Sequence, residues 1–175
     1  LCQWIEEDIA GKSTDSPKDS SEDSPEDSSG NSPQATDDAK LILDICTGSG
    51  CIAITLSLDI PQSTVTGIDI SEKAIATATE NAKKLNSNTK IKHADVFDLL
   101  KMTKEGIKNE PSLDIIVSNP PYICEKEKAD MAKNVLNYEP GLALFVPNED
   151  PLRFYRAIAE IAALELADGG RLYFE

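Results

Sequence analysis

Basic residues are scarce in this 175-residue chain: 17 lysines and arginines stand against 31 aspartates and glutamates, for a formal net charge of −14. A protein that grips nucleic acid by neutralising phosphates needs a basic stripe, so direct DNA binding is not expected. His93 is the sole histidine, and Cys2, Cys46, Cys51 and Cys124 form no C-x-x-C pair, so no metal site is assigned. With 40% hydrophobic residues the chain has no need of a disulfide scaffold, which points to a reducing compartment and a cytoplasmic protein. Apolar runs fall short of membrane-spanning length and no signal peptide is visible, so no membrane partner is expected. A methionine start is also lacking, and the end at Arg171-Leu172-Tyr173-Phe174-Glu175 reads as a core strand. The expectation is a chain truncated at both ends.

What is present falls into three parts. Residues 1–10 place Leu1, Trp4, Ile5 and Ile9 at helical spacing, the end of an amphipathic helix preceding a domain. Residues 11–39 form an acidic, Ser/Pro-rich linker or loop. Between positions 13 and 36 it reads as three octads, each with Ser-Pro at its centre (Ser16-Pro17, Ser24-Pro25, Ser32-Pro33). Such a segment has little apolar surface to offset the entropy of ordering it, so no regular element is expected there. Gly11-Lys12-Ser13-Thr14 resembles the end of a phosphate loop, but Glu6 stands where its first glycine belongs.

Residues 40–175 carry the periodicity of an α/β domain. Leu41-Ile42-Leu43-Asp44-Ile45 reads as a buried strand, and an apolar helix then runs from Cys51 to about Leu58. Thr64 to Asp69 makes a second strand. Ser71 caps a helix whose apolar face holds Ile75, Ala78, Ala82 and Leu85. A third strand spans Lys90 to Ala94, with His93 on it as a packing residue, and Phe97 and Met102 read as core positions. Residues 125–136 are charged and helical in pattern. Asp150-Pro151 reads as the N-cap and first position of a helix that buries Leu152, Tyr155, Ala159, Ala162 and Leu166. Gly169-Gly170 ends it before a fifth strand from Arg171 to Phe174. Alternating strands and helices of this length predict a doubly wound, mainly parallel sheet of the Rossmann-like class.

The stretch from Leu113 to Tyr122 organises the rest. Its branched apolar first half suits a strand buried on both faces. Pro120 and Pro121 then remove two backbone donors and force a turn at Asn119. An amide and the Tyr122 ring are thus held at a strand's carboxyl end, the edge where open α/β sheets bind ligands. The same edge collects Gly48 and Gly50 before a helix start, Asp69 about 20 residues on, and Asp95 after the third strand. Thr-Gly-Ser-Gly alone is a weak signal. Joined to three polar strand ends and Asn119-Pro120-Pro121-Tyr122, it describes an adenosine-containing cofactor lying across the strand ends.

Three segments together, Asp44-Ile45-Cys46-Thr47-Gly48-Ser49-Gly50-Cys51, Val117-Ser118-Asn119-Pro120-Pro121-Tyr122-Ile123 and Tyr138-Glu139-Pro140 before Ala143-Leu144, with Asp69 between, resemble the HemK family. The resemblance covers residues 40–175. It implies a class I methyltransferase that moves a methyl group from S-adenosylmethionine to the side-chain amide nitrogen of a glutamine in a peptide chain release factor, leaving S-adenosylhomocysteine. It also implies the site: Asp44, Cys46, Thr47, Gly48, Ser49 and Gly50 around the methionine part, Asp69 at the ribose, Asp95 and Val96 beside the adenine. Asn119, Pro120, Pro121 and Tyr122 would bind the substrate, with Asn119 also against the cofactor. Two departures stand out: Cys46 replaces the first glycine of the family's loop, and the family's amino-terminal helical domain and final strands are not in this chain.

The chemistry suits these residues. An amide nitrogen is a poor nucleophile, and no strong base is needed if positioning dominates. The Asn119 side-chain oxygen and the Pro120 carbonyl can accept the two amide hydrogens while Tyr122 stacks on the amide plane. A monomer is expected. The rival readings are a glutamine methyltransferase of a ribosomal protein, a nucleic-acid adenine methyltransferase, which the acidic charge disfavours, a dehydrogenase using NAD, which leaves the Asn-Pro-Pro-Tyr turn unexplained, and a non-catalytic cofactor-binding fragment.

Overall fold

The computed structural model describes residues 1–9, 39–60, 62–107, 112–124 and 145–175. The Ser-Pro octads, the helical pattern at 125–136 and Tyr138-Glu139-Pro140 lie outside the described residues.

Along the chain come helix α1 (Cys2–Ile9), strand β1 (Leu41–Ile45), helix α2 (Cys51–Asp59), strand β2 (Thr64–Asp69), helix α3 (Glu72–Lys84) and strand β3 (Lys90–His93). Helix α4 (Val96–Lys104), strands β4 (Leu113–Ser118), β5 (Ile123–Cys124) and β6 (Phe145–Val146), helix α5 (Arg153–Glu165) and strand β7 (Leu166–Phe174) follow. Five strands form one sheet in the order β3-β2-β1-β4-β7, every neighbouring pair parallel; β5 and β6 make a separate parallel pair. The expected doubly wound parallel architecture is therefore present.

Strand alternation divides the core. Ile42, Val65 and Val117 face one side, where Ala53 and Leu56 of α2 and Ile5 of α1 cover them. Ile45, Ile68 and Ile116 face the other, beneath Val96 of α4 and Ile158 and Ile161 of α5. Each fully buried isoleucine contributes about 1.5–3 kcal/mol relative to exposure. Asp8 on α1 also reaches Arg171 of β7 at 2.8 Å and accepts a hydrogen bond from the Tyr173 hydroxyl, tying the first helix to the last strand.

The first two strands match their sequence patterns to the residue. Ser71 caps α3, its hydroxyl accepting the Ala74 N–H at 3.3 Å. Other expectations need correction. Trp4 is 68% exposed, because α1 turns Ile5 fully onto the core, with Leu1, Cys2 and Ile9 partly buried beside it. Leu85 is likewise exposed, at the C-cap of α3. His93 is not a packing residue: it lies exposed on the edge strand, its Nε2 bonded to the Ile70 carbonyl at 2.7 Å. Residues 96–104 form a helix that had not been foreseen, capped by Asp95, whose carboxylate accepts the Phe97 N–H at 2.7 Å.

Helix α5 starts later than Asp150-Pro151. The Asp150 carboxylate pairs with the Arg156 guanidinium instead of capping, and residues 147–150 close a turn. Its buried stripe is Ala157, Ile158, Ile161, Ala162 and Glu165, while Leu152 and Ala159 are exposed. Two stripes of equal period compete here, and the one carrying two isoleucines removes more apolar area from water. Gly169-Gly170 does not end the helix, which stops at Glu165. Strand β7 begins at Leu166, and its register against β4 slips between Leu113 and Ile115. A Cβ on Gly170 would meet the Ala167 carbonyl at 2.9 Å and that of Leu113 at 3.1 Å, so the glycine pair serves a strand irregularity.

Candidate functional site

Strand β1 leads to α2 on one face of the sheet, and the chain beyond β4 leads to α5 on the other. Where neighbouring strands depart in opposite directions a crevice opens at their carboxyl ends. Here it is a cleft of about 520 Å³. The loop at residues 46–49 walls one side. Asp69, Asp95 and Val96 stand at the ends of β2 and β3, and residues 119–122 close the other side.

The loop is held from beneath. Asp44 is 1% exposed on β1. Its Oδ2 accepts the Thr47 hydroxyl at 2.6 Å and the Ala53 N–H at 3.2 Å, which joins strand, loop and helix α2. Its Oδ1 is buried with no hydrogen-bond partner among the described residues. Burial pushes the carboxyl up to about 7, against the lowering pull of the Thr47 hydroxyl and the Ala53 amide. Thr47 also donates its N–H to the Ile68 carbonyl at 2.9 Å and packs so closely on β2 that a Cβ on Gly67 would lie 2.7 Å from its Oγ1. Gly67 escaped the sequence reading; a glycine inside a strand pattern is the signal of close approach that could have found it.

Asp69 bonds twice to backbone: its Oδ2 accepts the Gly48 N–H at 2.9 Å and its Oδ1 the Ser71 N–H at 2.8 Å. The Asn81 amide of α3 donates to the Ser49 carbonyl at 3.0 Å. Cys46, where the family's loop has glycine, adopts φ 62°, the left-handed region that costs a non-glycine residue about 1–2 kcal/mol. Burial pushes its thiol up to about 12, with Asp69 and Asp44 adding to the rise, so it stays protonated and is no nucleophile.

The opposite wall has a different origin. Ser118 is fully buried and donates to the Ile45 carbonyl at 2.5 Å, locking the end of β4 to the end of β1. The Glu175 N–H returns to the Ser118 carbonyl at 3.1 Å. On this base Pro120 and Pro121 are buried, while Asn119 and Tyr122 are exposed to the cleft, Tyr122 by 58%.

Eleven of the thirteen residues singled out from the sequence line the cleft. Asp44 and Gly50 do not: Asp44 lies under the loop, and a Cβ on Gly50 would press on Ile54 and Ala78 at 3.0 and 3.1 Å, where α2 meets α3. Both shape the loop from behind. The lining also brings in Phe97, read from the sequence as a core position and packed on the core as well, and two residues the sequence reading missed, Phe154 and Glu175. Phe97 and Phe154, with ring centroids 5.1 Å apart, come from the starts of α4 and α5, and Glu175 comes from the end of β7. The Arg153 guanidinium lies 4.4 Å from the Phe97 ring centroid. Among the described lining residues there are three carboxylates, Asp69, Asp95 and Glu175, and no lysine, arginine or histidine. The cleft thus combines negative potential with an aromatic and aliphatic floor, a fit for an adenosine ligand bearing a cation.

Comparison with known proteins agrees with this geometry. The methyltransferase small domain family matches residues 32–139. A release factor glutamine methyltransferase of Bacteroides thetaiotaomicron is 53% identical over 138 residues, 79% of this chain and 48% of that protein. One from Flavobacterium psychrophilum is 48% identical over 134 residues, covering 77% and 45%. The chain spans about half the length of these curated relatives. A crystal structure of an S-adenosylmethionine-dependent methyltransferase from Agrobacterium tumefaciens shares the fold at 18% identity, with a TM-score of 0.52 over 79% of this chain and 39% of that one. The loop, the strand-end acids and the Asn-Pro-Pro-Tyr turn accordingly lie in a chain that belongs to the methyltransferase small domain family.

Proposed function

We propose that this chain is the catalytic part of a protein-glutamine N-methyltransferase that uses S-adenosylmethionine and acts on a peptide chain release factor. The observation that carries the reading is the charge of the cleft: Asp69, Asp95 and Glu175 line it, with no basic side chain among the described lining residues. A dinucleotide would bring a pyrophosphate into that field, whereas a sulfonium is attracted by it. S-adenosylmethionine would supply a methyl group on a cationic sulfur and leave as the neutral thioether S-adenosylhomocysteine.

The residues divide the work. Cys46, Thr47, Gly48 and Ser49 form the wall for the methionine part, with Asp44 and Gly50 setting that wall from behind. Asp69 keeps free lone pairs for ribose hydroxyls while its bonds to Gly48 and Ser71 fix its position. Val96 and Asp95 border the adenine, with Phe97 beside them. Asn119 and the Pro120 carbonyl accept the two N–H groups of the substrate glutamine, and Tyr122 stacks on its amide plane. Orientation of this kind raises the fraction of encounters that are productive, which is where rate is gained when the nucleophile is weak.

In this reading residues 40–175 belong to the methyltransferase domain, residues 1–10 to a helix that precedes it, and residues 11–39 are a linker. The protein is a cytoplasmic monomer, placed where release factors work. Titration calorimetry with S-adenosylhomocysteine and with NAD tests the cofactor half. Saturable binding of the first and none of the second is expected, and the reverse would sink the proposal. Mass spectrometry of a release factor treated with the full-length protein tests the substrate half: one added methyl on a glutamine side chain is expected. No methylated glutamine would remove the assigned substrate while leaving the cofactor assignment standing.

A further inference from the structure

Asp44 anchors the glycine loop with only one of its two carboxyl oxygens. Oδ2 is engaged by the Thr47 hydroxyl and the Ala53 N–H. Oδ1 is the only buried side-chain oxygen or nitrogen without a hydrogen-bond partner among the described residues. Its neighbours on the sheet show why. Asp44 stands in register between Gly67 of β2 and Val117 of β4, and neither side chain has a donor.

A carboxylate with a bare oxygen in such a place is costly, and like charges nearby make it costlier. Asp69 at the end of β2 and Glu175 after β7 both act on it, each negative. The loop presents the Cys46 thiol, α2 begins with Cys51, and α1 presents the Cys2 thiol, on which Glu6 and the Leu1 ammonium also act. Burial pushes the Cys46 and Cys2 thiols up, so both stay neutral. His93 is on β3, which β2 separates from β1. Asp44 forms no ion pair among the described residues, and the described lining of the cleft above it includes no lysine, arginine or histidine. A proton on Oδ1 removes the charge, which is the outcome that burial favours and that Asp69 and Glu175 reinforce.

This carboxyl sits one hydrogen bond beneath the wall assigned to the methionine part: Oδ2 holds Thr47, and Thr47 lines the cleft. A cation brought to that wall stabilises the carboxylate form of a buried neighbour, where Coulomb energies are weakly screened, and a neutral sulfur does not. Given the cofactor reading above, on which this rests, we propose that Asp44 carries a proton in the ligand-free domain and releases it to solvent when S-adenosylmethionine binds, so that the site separates the sulfonium cofactor from its neutral thioether product. The proton returns from solvent once the sulfur has lost its charge. Asp44 is thus a positioning residue for the loop whose titration also sets the preference for cofactor over product.

Titration calorimetry of the 175-residue chain between about pH 5 and pH 7, where the ligands' own ammonium group stays largely protonated, tests this. Affinity for S-adenosylmethionine should rise about tenfold across that range, and affinity for S-adenosylhomocysteine less than about twofold. Asp44→Asn, fixed in the neutral form, should bind S-adenosylmethionine throughout with the affinity the parent shows at the acid end. Should that variant fail to fold, the parent chain titrated at about pH 6.5 in two buffers of different ionisation enthalpy gives the proton count, with roughly half a proton released per S-adenosylmethionine and close to none per S-adenosylhomocysteine. An affinity independent of pH, an equal rise for both ligands, or a rise that survives in Asp44→Asn would overturn the proposal and leave the cofactor assignment standing. No saturable binding of either ligand would overturn both.

Discussion

The two walls of the cofactor cleft are built on opposite principles. Residues 46–49 owe their path to partners distant in sequence: Asp69 holds Gly48, Asn81 holds Ser49, Gly67 makes room for Thr47, and the buried Asp44 carboxylate binds Thr47 and Ala53 together. Residues 119–122 owe theirs to local chain chemistry, two adjacent prolines on a strand end that needs only Ser118 to anchor it. The first wall is a hydrogen-bonded assembly around a carboxyl raised to about 7, so it should respond to substitution and to pH. The second is stiff covalently and should respond to neither, except at Asn119, the side chain we propose to meet the substrate.

The strongest test of that contrast is Asn119. In the full-length enzyme Asn119→Ala should lower single-turnover methylation on the order of 10²-fold, with cofactor affinity within about twofold, because the turn persists while the amide loses an acceptor. Asn119→Asp should also keep cofactor binding and lose most turnover, since its charge favours the cationic ground state over the charge-dispersed transition state. Parent-like rates for either variant would reduce Asn119 to a turn residue.

Next in size is Gly67→Ala. Its Cβ would sit 2.7 Å from the Thr47 hydroxyl oxygen, so the loop or the strand must move. A loss of about 1–3 kcal/mol in urea unfolding is expected, with weakened S-adenosylhomocysteine binding by calorimetry. Unchanged affinity would mean that the loop is less dependent on β2 than its contacts imply.

Asp44 gives the pH signature. Its folded carboxyl titrates near 7, against about 3.9 for an ordinary aspartate, so the folded state binds the proton more tightly than the unfolded one. The stability it confers is therefore fully present below about pH 3.9 and declines as pH rises toward 7. Asp44→Asn should flatten the pH dependence of the urea midpoint across that window, and an unchanged slope would exclude Asp44 as its source. The smallest effect belongs to Asn81→Ala, which removes one exposed bond to Ser49: a loss of about 0.5–1.5 kcal/mol in cofactor binding, with little change in melting temperature.

How far the sequence could be read follows the same division. The strands at Leu41–Ile45, Thr64–Asp69 and Leu113–Ser118 stood out because branched apolar runs ended at glycine, acid or proline, all local signals. Helix α4 was missed because its nine residues are too few for a clear period, and Asp95 served as a strand-end acid and a cap at once. The face of α5 was misjudged because either of two stripes could have been buried, and only the packing of Ile158 and Ile161 onto the sheet selects one. Glu175 and Phe154 reach the cleft from positions with no motif around them.

By itself the sequence determined the turn at Asn119, the strand ends that carry Asp69 and Asp95, and the parallel order they imply, because φ restriction, side-chain branching and periodicity act between near neighbours in the chain. Tertiary structure alone decided that Asp44 lies under the glycine loop with one oxygen unsatisfied among the described residues, and that Gly67 yields its space to Thr47. Those outcomes depend on which surfaces meet when separate segments pack, and desolvation and close contact exist only once they have met.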